Sequence, residues 1–384
     1  MGKTVKVDFE RARKRRQFLQ SAKRFAILGL VTAAVVGAII LNNFLVDQGV
    51  STHVSDIIES FGGDGFPIDL PGGIIRDTKS LGKNLTVLND TNLYIYSPKA
   101  RLISNIQQMT ENTVLCANAG RVLTYDTGSK RYRIHSPSKL LAEKETEDSI
   151  LAADLGTHNE YALVTSPSRF VAMVTVYNEK FEPVFYTYSA ENHITGVSLS
   201  PAGDAMVTSA VNTDNGMLRS YVAYYRFNVE DEIARVTFDD SLILQMDFIS
   251  EDRVGILTDR TYTITDQKGK ELFSYALGDN PITAFASYGK EALIRTEYKE
   301  ARRCDVVLLG AEGEEIWTLQ LTNNVRDMCM DGKLVYILDD GGISVYDRNR
   351  ERVSRLDLRG VSRIHLVGDT LYYFTQDEIK VLEG

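Results

Sequence analysis

The chain holds few of the residues on which enzymes and disulfide scaffolds are built. Its 384 residues include three cysteines, Cys116, Cys304 and Cys329, and that odd, widely spaced set excludes an extracellular scaffold built on disulfides. Each cysteine lies in an apolar run and reads as a small buried hydrophobe, with a Cys304–Cys329 pair left open. No cysteine precedes Cys116, so no lipoprotein anchor is expected. The five histidines, His53, His135, His158, His193 and His365, show no spacing of the H-E-x-x-H kind, so no metal site is expected. A G-x-S-x-G elbow, a P-loop and a dinucleotide fingerprint are all missing. Carboxylates are plentiful at 52, but so many guarantee accidental pairs, and no acid/base couple stands out. No catalytic set and no cofactor are expected.

Charge is scarce in one place and concentrated beside it. Residues 1–24 hold nine Lys and Arg against Asp8 and Glu10, a net of +7. Removing these from the totals of 43 and 52 leaves 34 basic and 50 acidic groups, a net of −16 for the rest. An acidic body repels nucleic acid, which is excluded as a partner. Between these regions lies "FAILGLVTAAVVGAIIL", Phe25–Leu41, uncharged and with Thr32 as its one polar side chain. Extended to Val46 it reaches 22 residues, enough at ~1.5 Å per residue to cross a ~30 Å hydrocarbon core. A cleaved signal peptide has a shorter apolar stretch and a small-residue cleavage site, and none precedes Asp47. The segment 25–46 therefore reads as an uncleaved signal anchor. The basic head stays cytoplasmic, and everything beyond Val46 lies outside the cell membrane.

After the span, residues 47–65 read as a stalk with one short helix. Ser51 or Ser55 would cap it, Ile57, Ile58 and Phe61 give it an apolar side, and Gly62-Gly63 stop it. With no helix following, the glycines of Gly62–Gly65 read as a hinge and not as a phosphate cradle. Beyond Gly65, short runs of Val, Ile, Tyr, Phe and Thr alternate with turn residues, which marks an all-β chain. One hairpin recurs: "SLGKNLTVL", "MTENTVLCA", "THNEYALVT", "SPAGDAMVT", "SEDRVGILT", "SYGKEALIR", "MDGKLVYIL" and "LVGDTLYYF". Each copy leads to a second strand and then, past another turn, to an outer strand such as "GAEGEEIWTLQL". Four antiparallel strands per ~40 residues is the pattern of a propeller blade. The expected architecture is a single β-propeller over 66–384 with eight blades. Blades one and two read less cleanly than the rest, which leaves seven as the alternative.

The last blade shows three strands, "VSRIHLV", "DTLYYFT" and "EIKVLEG", and no outer one. "GFPIDLPGGIIRD", Gly65–Asp77, is written like the outer-strand phrase "SRLDLRGVSRIHL" of the blade before. The strand Pro67–Leu70 is therefore expected to pair with the C-terminal blade and close the ring.

"DQKGKELFSYALGDN" and "GAEGEEIWTLQLTNN", with a Gly turn ahead of an outer-strand aromatic, resemble repeats of the quinoprotein-like and WD-like propeller superfamily. The order of basic head, single span, stalk, "GFPIDL" and propeller resembles a bacterial family of N-terminally membrane-anchored β-propellers of unknown function. Quinoprotein enzymes of similar fold hold a cofactor with stacked aromatics and calcium ligands. Here the one tryptophan, Trp317, falls in an outer strand, and no D-x-D-x-D-G loop is present. "LDDGGIS", Leu338–Ser344, reads as a hairpin turn, and no sialidase-type S-x-D-x-G-x-x-W turn occurs.

Loops joining an outer strand to the next blade's inner strand gather at one face. The binding candidates there are His193, Asp279, Asn280, Asn323, Asn324 and Arg326. "MLRSYVAYYRFN", with Tyr221, Tyr224 and Tyr225, reads first as core packing and second as a protruding edge. The expected function is a non-enzymatic interaction module for a protein or cell-envelope component. The alternatives are an envelope polysaccharide-active or cofactor-dependent propeller enzyme, or the sensor domain of a membrane complex.

Overall fold

A computed structural model describes residues 50–70, 72–108, 112–298 and 303–382. Among these no helix is long and apolar enough to cross a membrane, and the expected span 25–46 lies outside them. The chain divides into two units, ending and beginning at Ile58 and Glu59. Helix α1 (Val50–Ser60) supplies the short helix expected before the propeller. Ser51 and Ser55 both fall within these bounds. It stops where Gly62 and Gly63 take φ of +93° and +122°, a region open to glycine.

Thirty-two strands form eight four-stranded antiparallel sheets among the described residues. Blade 1 is β2 (Ile75–Leu81), β3 (Asn84–Asn89), β4 (Asn92–Tyr96) and β5 (Leu102–Gln107), from the axis outward. Blades 2 to 7 follow in the same order as β6–β9 (113–145), β10–β13 (149–189), β14–β17 (193–239), β18–β21 (243–276), β22–β25 (282–321) and β26–β29 (325–357). Blade 8 has β30–β32 (363–382) and takes its outer strand from β1 (Ile68–Asp69). The ring closes as the sequence predicts, with Ile68 opposite Ile379 and Asp69 opposite Glu378. The Leu70 amide adds a bond to Asp377 O at 2.7 Å. Phe66 meets the Tyr372 ring edge-on at 5.1 Å.

Blade packing explains the strand sequences. Middle strands are covered on both faces by neighbouring blades, so β3 "NLTVLN" is buried at every position. Outer strands are covered on one face and alternate, as in β17 (Ala234–Asp239), "ARVTFD". The buried side chains fall into eight apolar clusters, one at each blade-to-blade junction. The last joins blade 8 to blade 1, with Tyr372, Phe374 and Ile379 against Leu85 and Val87. Phe66, Ile68 and Leu70 pack onto that cluster. Gly342, with φ of +138°, shows why "DDGG" is a turn: a Cβ there would lie 2.0 Å from Leu356 O.

Several expectations need correction. In blade 2 the sequence repeat falls one strand early. "MTENTVLCA" contains the inner strand β6 (Thr113–Ala117), and the hairpin turn after it is Asn118–Arg121. Asn118 Oδ1 accepts the Gly120 and Arg121 amides at 2.8 and 2.6 Å, so that turn is fixed by an asparagine and not by the Gly pattern of its neighbours. The Gly62–Gly65 hinge is strapped down. Arg101 pairs with Glu59 at 2.6 Å and donates to Phe61 O at 2.7 Å, and the Gly65 amide bonds Lys99 O at 3.1 Å. Any Cβ on Gly63 would collide with Lys99 O at 1.9 Å, so this glycine serves close approach and not mobility. Cys116, Cys304 and Cys329 are all free thiols, so the open Cys304–Cys329 pair is not formed. The tyrosines of "MLRSYVAYYRFN" are core: Tyr221, Tyr224 and Tyr225 are buried, while Met217 at the tip is exposed.

Candidate functional site

In each blade the inner strand starts at the face where the previous outer strand ends, which places all the loop candidates on one face. They do not form one site. His193 opens β14 (His193–Leu199) between blades 3 and 4, backbone-paired to Val211 and exposed. Asp279 and Asn280 sit in the turn between blades 5 and 6. Asn323 and Asn324 fall between blades 6 and 7 and line a cavity of about 1160 Å³ with Glu297, Tyr298, Arg303, Asp340, Asp357 and Arg359. Arg326, in β26 (Val325–Met330), bonds Asp340 Oδ1 at 2.8 Å on the wall of this cleft and Val361 O at 3.3 Å.

The cleft is wide, polar and of mixed charge. Its back wall is a fixed hairpin turn. Asp339 accepts both Arg355 guanidinium nitrogens at 2.8 Å, the Asn323 amide at 3.1 Å and the Gly341 amide at 2.8 Å. Burial would raise Asp339, but these donors outweigh it and hold the carboxyl down at about 2. Asn323 is thus committed to structure. The Arg303 guanidinium lies 4.4 Å over the Tyr298 ring, whose hydroxyl donates to Asp305 at 2.7 Å. Asn324 and Arg359 are exposed on the cavity lining.

A second constellation was not singled out from the sequence. Six inner strands carry a β-bulge near their start, as between Ile75 and Asp77 or Ile150 and Ala152. Two residues beyond each bulge stand Lys79, Asp154, Ser198, Asp247, Ala286 and Cys329. The inner strand is the free edge of its sheet, so its backbone groups need partners from elsewhere. Neighbouring blades supply them. The Leu199 amide donates to Asp154 Oδ2 at 2.8 Å, and the Phe248 amide to Ser198 Oγ at 3.2 Å. The Ile364 amide donates to Asp327 Oδ2 at 2.9 Å, and Ser80 Oγ donates to Leu366 O at 3.0 Å.

These ties enclose charged groups that feel one another. Burial, reinforced by Asp247 and Glu160, pushes Asp154 up to about 6 against the pull of the Leu199 amide. Burial also raises Asp247, and Lys79 opposes it. His365, whose Nε2 lies 3.2 Å from Ser80 Oγ, is pushed down to about 4 by burial, Lys79 and Arg363. Cys116 is raised to about 12 by burial and Asp154, which makes it an inert thiol. Among the described residues, no three His, Cys, Asp or Glu side chains come together as metal ligands.

A family model described as "Family of unknown function (DUF5711)" matches residues 75–382. No curated protein matches the chain. Among solved structures, BamB from Moraxella catarrhalis is similar at 11% identity and a TM-score of 0.54, over 83% of this chain and 98% of that one. Sqt1 of Saccharomyces cerevisiae is similar at 10% identity and a TM-score of 0.58, over 84% and 100%. A Kuenenia stuttgartiensis hydrazine synthase chain is similar at 12% identity and a TM-score of 0.50, over 76% and 99%. At such identities the likeness is one of fold, and it is to propellers of the WD40 and BamB type.

Proposed function

The chain belongs to this family of unknown function, DUF5711, and we propose that it is a non-enzymatic interaction module, tethered by residues 25–46 and exposed outside the cell membrane. Its partner is a protein or another cell-envelope component. The observation that carries this reading is the open cleft between blades 6 and 7. At about 1160 Å³ it exceeds the ~300–1,000 Å³ of a small-molecule pocket, and loop side chains of both charges line it. The propeller beneath is held shut by side-chain ties between inner strands, so the loops stand on a rigid base.

A second reading draws on Asp154 and Asp247, two raised carboxylates, since a carboxyl raised towards neutrality suits a general acid in an envelope polysaccharide-active enzyme. Both have structural employment: Asp154 holds the Leu199 amide, and Asp247 accepts from Gln245 at 2.7 Å. The interaction reading therefore stands first. Its test is a photo-crosslinking side chain at Asn324 or Arg359 in intact cells. A reproducible protein adduct, absent when the same group is placed on the distant exposed Lys268, is expected. No adduct from well-expressed protein would remove the case for this cleft.

A further inference from the structure

Every outer strand of a propeller leaves one backbone edge unpaired, and seven of the eight here are guarded. Most carry charge: Lys144 and two glutamates in β9 (Leu140–Glu145), Arg235 in β17, Glu271 in β21 (Glu271–Ala276), Arg352 and Arg355 in β29 (Arg352–Asp357). β25 (Glu315–Leu321) has Glu315, and β1 has Asp69 in two residues. β5, "LISNIQ", is uncharged but alternates with Ser, Asn and Gln. Charge and brevity are how sheet edges avoid unwanted pairing.

β13 (Pro183–Ser189), "PVFYTYS", has neither charge nor brevity, and Pro183 blunts only its first position. Val184, Tyr186 and Tyr188 stand 51%, 67% and 57% exposed along one side of it. Tyr188 is held in place by Phe170, stacked at 4.3 Å, with Arg169 over the Phe170 ring at 5.5 Å. Beside this strand runs a groove of about 730 Å³ between blades 3 and 4. Phe185, Tyr221, Tyr225 and Phe227 form its aromatic lining. Tyr221 is 6% exposed, and its hydroxyl has no hydrogen-bond partner among the described residues. Acidic groups stand at both ends, Glu191 at one face and Glu230, Asp231 and Glu232 at the other. Arg235, over the Tyr221 ring at 4.6 Å, is already paired with Glu232 at 2.6 Å. Four acids against one base leave the lining at −3.

We propose that the β13 edge and this groove receive an extended, basic segment of a partner protein, which adds to blade 3 as a fifth strand. A seven-residue edge spans about 20 Å, and alternate side chains of an added strand would reach the groove. The aromatic lining suits β-branched side chains, and the acidic ends suit Lys or Arg at the two ends of the segment. This rests on the interaction-module reading and names the chemistry of one partner surface.

The test uses the full chain in detergent micelles and a fluorescein-labelled, end-blocked heptapeptide, Lys-Val-Thr-Val-Thr-Val-Lys. It is expected to bind at least tenfold more tightly than its counterpart with Glu at both ends. N-methylation at alternate residues, which removes edge hydrogen bonds, should weaken it at least tenfold. Tyr186→Lys, and separately the pair Glu230→Lys and Asp231→Lys, change exposed side chains and should do the same with the melting curve unchanged. Equal binding of the Lys and Glu peptides, or binding that survives Tyr186→Lys, would overturn the proposal, as would no binding by folded protein. Self-association of the full chain that Tyr186→Lys dissolves would assign the edge to a second copy and overturn it too. If the cellular adduct at Asn324 persists in Tyr186→Lys while peptide binding fails in the parent, the module reading stands and this surface falls.

Discussion

Ring closure can be weakened without shortening the chain, by changing Phe66, Ile68 and Leu70 together to alanine. All three are half-buried against the cluster that joins blade 8 to blade 1. Full burial of such a side chain is worth roughly 1.5–3 kcal/mol, so half-burial is worth about 1–1.5 kcal/mol each. The edge-on contact of Phe66 with Tyr372 adds about 0.5–1.5 kcal/mol. The triple variant should therefore lose about 3.5–6 kcal/mol from a domain of ~5–15 kcal/mol. Trp317, the single tryptophan, is buried in blade 6 and reports global unfolding by fluorescence. With a urea slope near ~3 kcal/mol per M, the midpoint should fall by about 1.5 M. Hydrogen exchange in β32 (Glu378–Leu382) should rise first, because that strand loses its outer partner. Phe61→Ala, at a side chain 70% exposed, is the control and should shift nothing. A triple variant that unfolds with the control's midpoint would refute the closure energetics.

Two further outcomes are expected. Asp154 and His365 should give the fold opposite pH slopes. Asp154 is raised from 3.8 to about 6, so the folded chain holds a proton longer and gains stability as pH falls through that window. His365 is lowered from 6.5 to about 4, so the unfolded chain takes the proton first and stability is lost as pH falls through that window. Relative to the parent, His365→Asn should be favoured at pH 5 over pH 7 and Asp154→Asn disfavoured, measured as denaturation midpoints; a shared sign would refute the assignment. For the tether, protease added outside spheroplasts should degrade the propeller and leave the basic head of residues 1–24, and the reverse pattern would overturn the topology.

The blades were legible because their turns are local events. A Gly or Asx residue at a fixed place in a hairpin marks itself, and the outer-strand phrase repeats closely enough to identify β1 as the missing strand of blade 8. The same locality caused the slip in blade 2, where the Asn118 turn and the turn before Thr113 look alike as text. The strap on the stalk was hidden for the opposite reason: Arg101 reaches Glu59 across some forty residues with no local signal. The inner-strand ring was missed because each partner comes from a different blade. Aligning the six strands on their bulges would have put Lys79, Asp154 and Asp247 in one column. The loop candidates were correctly given a common face, but spacing along a repeat says nothing of which junctions share a cavity. Asn323 and Asn324 do.

The strand that completes blade 8 is also the first of the described strands to be synthesised. Ile68 pairs with Ile379, 311 residues later. At ~5–20 residues per second, about 15–60 s separate the two ends of that pair during synthesis. Throughout that interval β1 has no sheet to join, while blades 1 to 7 can assemble in order behind it. The unfinished protein is thus an open arc whose two ends each present an unpaired blade face, Leu85 and Val87 at one and the growing blade at the other. Whatever shields those faces during synthesis acts on the arc, before the ring exists.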